Sequence, residues 1–136
     1  MKLCNKNILI TGATSGIGLR LVEQLYKHNK IYVIARDKEK IHQLQASFSL
    51  VTAFSADLSD VESVNKVAAE ILKEVETIDV FINNAAIQYT PQFIDSDFDY
   101  HSIAKEITTN FTAICCLTYL LLPILQQKHK TVTGKS

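Results

Sequence analysis

Apolar and polar positions along this chain alternate between two rhythms. Ile8–Thr11 is a short apolar run, of the kind a fully buried strand shows. Ile17, Leu21, Val22 and Leu25 then recur at helical spacing, and Asn29 supplies a left-handed stop. Ile31–Ala35 is β-branched and aromatic, a second strand. Ile41, Leu44 and Phe48 mark a short amphipathic helix, and Leu50–Phe54 a third strand. Ser59 and Glu62 have capping-box spacing, opening a helix with Val61, Val64, Ala68, Ile71 and Val75 on one face. Ile78–Ile82 is a fourth strand. After a polar loop containing Pro91, a long helix runs from about Ser102 to Leu122 and stops near Pro123.

Strands and helices that alternate in this way predict a parallel, doubly wound α/β sheet. Four strands and four helices amount to half of a dinucleotide-binding fold, extended by one strand and one helix. One domain covers residues 1–125, and the polar segment 126–136 (QQKHKTVTGKS) is an irregular tail without a core pattern.

Composition narrows the function. At 136 residues, 47% apolar, the chain is long enough for one real core. Its 14 basic and 14 acidic residues balance, which removes the electrostatic footprint of a nucleic-acid binder. The three cysteines form no CxxC pair, and the four histidines have no metal-ligand spacing, so no metal is expected. Reduced thiols in the cytoplasm fit best. The apolar stretch from Ala113 to Leu125 is short of the ~20 residues a membrane span needs, so a buried helix is expected and no membrane.

Three of the four glycines, Gly12, Gly16 and Gly18, follow the first strand and open the first helix. A helix N-terminus offers unpaired N–H groups and partial positive charge, and glycine lets the backbone approach an anion closely. The pattern is GxxxGxG, and no lysine follows it as in a phosphate-binding GxxxxGK[ST] loop.

TGATSGIG resembles the cofactor loop of the short-chain dehydrogenase/reductase family, which implicates Gly12, Thr14, Ser15, Gly16, Ile17 and Gly18 in dinucleotide binding. Ala56-Asp57-Leu58 resembles the family's contact to the adenine ring. Asn83-Asn84-Ala85-Ala86 resembles its NNAG segment beside the nicotinamide ribose, with alanine in place of the last glycine. Asn110 resembles the catalytic-helix asparagine. Alone, Asp57 reads as a turn acid and Asn83-Asn84 as turn chemistry; order and spacing carry the assignment. The resemblance implies an incomplete Rossmann-like sheet with strand order 3-2-1-4.

Arg36 and Asp37 follow the second strand. An arginine there suits the 2′-phosphate of NADP and an acid suits the 2′-hydroxyl of NAD. Arg36 favours NADP, with NAD as the alternative while Asp37 is free to reach the ribose.

The family's activity is hydride transfer between nicotinamide and a carbonyl or alcohol. It uses a serine after the fifth strand and a YxxxK pair, and neither is expected in this chain. Tyr26–Lys30 has the YxxxK spacing but falls at the far end of the first helix. The resemblance therefore implies the cofactor-binding part of an oxidoreductase, truncated after the asparagine and inactive alone. The alternatives are a catalytically inactive dinucleotide-binding module and an interrupted-frame product. Truncation would leave Val80–Ile82 as an apolar sheet edge, open to a second copy or to a complementing C-terminal half.

Overall fold

A computed structural model describes residues 3–88, 94 and 98–125. The loop residues around Pro91 and the tail 126–136, including the strand start expected at Thr131-Val132, lie outside the described residues. Four strands, β1 (Asn7–Thr11), β2 (Lys30–Ala35), β3 (Thr52–Ser55) and β4 (Val80–Ile82), form one sheet. Its order is β3-β2-β1-β4, and every pairing is parallel, as the alternating pattern and the resemblance required. Thr11 stands opposite Ile34, Ile10 opposite Ile82, and Ala35 opposite Ser55, so the carboxyl ends of all four strands open on one rim.

Helices cover both faces. They are α1 (Gly16–Leu25), α2 (Lys38–Ser47), α3 (Val61–Glu74), α4 (His101–Ile107) and α5 (Ala113–Leu125). The period-2 alternation of a strand decides which face each side chain serves. Ile8, Ile10, Ile31 and Val33 point to Val22 of α1 and to Ile41 and Leu44 of α2. Leu9, Tyr32, Ile34 and Phe54 point to the other side, where Val64, Val67, Ala68 and Ile71 of α3 meet Ala113, Leu117, Leu121 and Ile124 of α5. β1 and β2 are therefore apolar on both faces, the mark of a covered parallel strand.

Four local expectations need correction. Asn29 is not left-handed; among the described non-glycine residues only Asn5 has a positive φ, 56°. Its side chain closes the connection instead. Nδ2 donates to Leu25 O and Leu3 O, each at 3.0 Å, and Oδ1 accepts from Lys6 N at 3.0 Å. The cap of α3 is Asp60, whose carboxylate accepts from Glu62 N at 3.1 Å, not Ser59. Ser59 is drawn away because its hydroxyl donates to Asp57 Oδ1 at 2.7 Å. Leu50 lies outside β3 and is exposed, since the turn after α2 carries it into solvent.

Pro123 does not end the last helix; α5 continues to Leu125 with the proline inside. Proline at that position forfeits one N–H bond near the helix end, while Leu121 and Ile124 on either side of it are buried in the core. From His101 to Leu125 the helix is continuous over 25 residues, long and apolar enough by length and composition to cross a membrane. The shorter apolar stretch expected from sequence undercounted it. Its Ala113, Leu117, Leu121 and Ile124 stripe is buried against α3, as in the core helix of a sheet protein.

Between α4 and α5, residues Thr108–Thr112 form a wide π-helical turn. Such turns are rare and tend to mark functional positions. Asn110 sits in it.

Candidate dinucleotide site

The rim at the carboxyl ends of the strands holds a cleft of about 390 Å³. Gly12, Thr14 and Ser15 line it from the β1–α1 turn, Ile34, Ala35 and Arg36 from the end of β2, and Ala56, Asp57 and Leu58 from the end of β3. Asn84, Ala85, Ala86 and Ile87 follow β4, and Lys105 and Thr109 reach in from the long helix. In open α/β sheets this is where ligands bind.

The helix starts beside it are not alike. Asp37 caps α2 and Asp60 caps α3, and each helix adds a glutamate in its first turn. α1 has neither: Ser15 makes no side-chain cap, and the first turn holds no acid. The first N–H groups of α1 are thus left with their partial positive charge uncompensated, beside the cleft. That is the arrangement an anionic phosphate completes.

Two of the glycines are there for geometry. Gly12 has φ +66°, and a Cβ on it would lie 2.8 Å from Ala85 Cα. Gly18, buried in α1, is packed against the turn: a Cβ there would overlap Gly12 O and stand 2.6 Å from Asn84 Nδ2 and 2.8 Å from Ala13 Cα. Gly18 shapes the cleft from behind rather than lining it. Thr11 fastens the same region. Its buried hydroxyl accepts from Asn84 N and Ala85 N, each at 3.0 Å, while Asn84 Nδ2 donates to Gly12 O at 3.0 Å. Asn84 thereby locks the segment after β4 onto the glycine turn. Thr11 is a site residue that sequence reasoning missed; its signal was a threonine ending an otherwise aliphatic strand.

Both acids of the cleft bond to their own turns through one carboxylate oxygen. Asp37 Oδ1 accepts from Glu39 N at 2.9 Å and from Lys40 N at 3.3 Å. Asp57 Oδ1 accepts from the Ser59 hydroxyl at 2.7 Å and from Ser59 N at 3.0 Å. The hydroxyl bond is the main force holding the Asp57 carboxyl below its ordinary range, with the Ser59 N–H and the charges of Arg36 and Lys105 adding to it against partial burial. Asp57 is therefore an ionised turn residue whose backbone neighbours floor the cleft, and its own N–H donates to Ser63 Oγ at 2.9 Å.

Asn110 does not line the cleft. Its amide spans to the chain after β4, accepting from Ile87 N at 2.8 Å and donating to Ile87 O at 2.6 Å. One side chain satisfies both backbone groups of a cleft residue, so its role here is to position. Thr109, beside it, is the buried side chain whose hydroxyl has no hydrogen-bond partner among the described residues.

Of the residues selected from sequence, Gly12, Thr14, Ser15, Arg36, Asp57, Leu58, Asn84 and Ala85 converge on the cleft. Gly16, Ile17, Gly18, Asn83 and Asn110 do not line it. Ile17 is exposed at the start of α1, and its apolar periodicity is spent on solvent. Lys40 and Lys105 line the cleft unannounced, since each arrives from an element distant in sequence from the glycines. The size of the cleft, the open start of α1 and the cationic rim fit a dinucleotide. Tyr26 is remote from it: its ring packs on Phe48, centroids 5.0 Å apart, and its hydroxyl accepts from Leu50 N at 3.4 Å.

A family profile described as short chain dehydrogenase matches residues 6–133. An NADP-dependent 3-hydroxy acid dehydrogenase of Schizosaccharomyces pombe is 34% identical, over 95% of this chain and 52% of that protein. The human very-long-chain 3-oxoacyl-CoA reductase is 30% identical, over 90% of this chain and 41% of its own. Among solved structures, the NADPH-bound carbonyl reductase from chicken fatty liver superposes with a TM-score of 0.80 at 22% identity, covering 96% of this chain and 52% of that one. The chain spans about half the length of the relatives it matches.

Proposed function

The chain belongs to the short-chain dehydrogenase family, and from that premise we propose that it binds NADP(H) in the cleft above β1 and α1 as the cofactor-binding part of a carbonyl or alcohol oxidoreductase. The observation that carries the reading is the start of α1, which alone among the first three helices has neither a carboxylate cap nor an acid in its first turn. The bound nicotinamide would supply the hydride chemistry. The chain's own residues bind and orient: the α1 N–H groups and the glycine turn take the diphosphate, Ala56–Leu58 flank the adenine, and Asn84–Ala86 border the nicotinamide end. Arg36 takes the 2′-phosphate. Relatives named for NADP or bound to NADPH support that preference.

A proton-transfer group is a separate requirement. The only Tyr-x-x-x-Lys in these 136 residues is Tyr26–Lys30, and Tyr26 is engaged with Phe48 and Leu50, away from the cleft. We therefore assign turnover to residues outside this sequence, and to this chain the binding of nucleotide. Fluorescence titration tests the assignment. NADPH should saturate, and Arg36→Ala should weaken it about tenfold to a hundredfold while sparing NADH, as expected for a charge-assisted hydrogen bond of about 1.5–3 kcal/mol. Absence of saturation by the unaltered chain would remove the reading.

We also propose a reducing, cytoplasmic setting for the chain, in which Cys4, Cys115 and Cys116 stay as thiols. The reading as a cofactor-binding part also expects association. No described strand pairs with the outer edge of β4, and Ile107, Phe111 and Tyr119 leave an apolar stripe exposed along the long helix. Size-exclusion chromatography with light scattering should show self-association at micromolar concentration; a clean, stable monomer would contradict it.

A further inference from the structure

We propose that Lys105 is a base-specificity residue of the cleft: from α4 its ammonium donates to adenine N1, while Asp57 accepts from the amino group beside it. This rests on the reading above, in which Ala56–Leu58 flank the adenine, and adds to it a residue from another element.

Lys105 is exposed on α4, and it lines the cleft together with Thr109, four residues on. Residues at that spacing share a helix face, and Thr109 is buried. The face that carries Lys105 is therefore turned toward the cleft. Asp57 lines the same cleft from the end of β3.

The two opposite charges do not close on each other. The ion pairs formed among the described residues are Arg20–Glu23 and Lys66–Glu62. The Asp57 carboxyl is held low first by the Ser59 hydroxyl, and the charges of Arg36 and Lys105 add to that lowering. The ammonium thus stands within electrostatic reach of the carboxylate but out of contact with it. Among the described residues both bonds to the carboxylate fall on Oδ1, from the Ser59 hydroxyl and Ser59 N. Oδ2 is left to accept from a ligand.

A carboxylate and an ammonium that share a cleft without touching suit a group with a donor next to an acceptor. Adenine has both on its Watson–Crick edge, where the exocyclic amino group donates and N1 accepts. Hypoxanthine reverses them, with a carbonyl oxygen and an N1–H. Asp57 would then face an oxygen and Lys105 a hydrogen, and charged groups left unpaired beside a bound ring are costly. One ring nitrogen needs one donor, which a lysine on a flexible stem supplies.

The test measures dissociation constants of NADPH and its hypoxanthine analogue for the unaltered chain, Lys105→Met, Lys105→Arg and Lys73→Met. Lys73, in the last turn of α3, lies outside the cleft. The unaltered chain should prefer NADPH about thirtyfold, the scale of two mispaired hydrogen bonds. Lys105→Met should weaken NADPH about tenfold, cut that preference to about threefold and leave the melting temperature unchanged. It should weaken NADH by the same factor as NADPH, because the base is common to both, whereas Arg36→Ala spares NADH. Lys105→Arg should keep most of the preference, and Lys73→Met, with the same loss of charge, should change none of these constants. A preference that survives Lys105→Met, an equal loss for both bases, or an equal effect of Lys73→Met would each overturn the role of Lys105. If NADPH binds and Arg36→Ala weakens it but Lys105→Met leaves the preference intact, only Lys105 falls. If the unaltered chain binds no NADPH, both readings fall together.

Discussion

Gly18→Ala will abolish nucleotide binding and destabilise the fold by about 2–3 kcal/mol. The added methyl has nowhere to go: it would overlap Gly12 O and press on Asn84 Nδ2 and Ala13 Cα. Two of those neighbours are backbone, and the amide is tied to Gly12 O at 3.0 Å. The turn has to move as a unit, which puts the cost at the upper end of an overpacked core. It also carries Gly12 and the start of α1 away from the position that receives an anion. Thermal unfolding and NADPH titration of the variant measure the two effects. A variant with unchanged melting temperature and unchanged affinity would show that the approach of α1 to this turn is looser than described.

The second large effect concerns turnover. The 136-residue chain should bind NADPH and yet oxidise it with carbonyl substrates no faster than the uncatalysed background. Positioned proton transfer contributes about 10²–10⁴-fold in rate, and a tyrosine, titrating near about 10 when unassisted, needs a nearby cation to act at neutral pH. Tyr26, with Lys30 four residues on, is turned toward Phe48 and the Leu50 backbone. Absorbance at the NADPH band with a panel of ketones and aldehydes measures the rate. Substantial oxidation that Tyr26→Phe abolishes would reinstate that pair as catalytic.

What was legible in the sequence was what depends on local period. β1, β2 and the buried faces of α2 and α3 follow from the spacing of Ile8–Ile10, Ile31–Ile34, Ile41 with Leu44, and Val64 with Ile71. The strand order came from the likeness to a family, not from the pattern, because pairing partners are set by contacts distant along the chain. The same limit hid Lys40 and Lys105. Both are ordinary exposed lysines in sequence, and only the return of α2 and the long helix to one rim makes them part of a site. Asp57 lines the cleft as the resemblance implied, and its hydrogen bonds to Ser59 also make it the turn acid that its local sequence reads as. The wide turn at Thr108–Thr112 was illegible because one added residue barely disturbs an apolar period; its sole trace was an asparagine inside a helix, where that residue is disfavoured.

That turn separates two alignments within one rod. Before it, Lys105 faces the cleft; after it, Leu117, Leu121 and Ile124 face the core. Each residue of an α-helix advances the side-chain direction by about 100°. Excising a single residue from 108–112 would restore an ordinary pitch, and the two halves could then no longer satisfy their separate surroundings. With the core half anchored by α3, the half ahead of it would swivel, dragging the Asn110 clasp off Ile87 and unlatching one wall of the cleft.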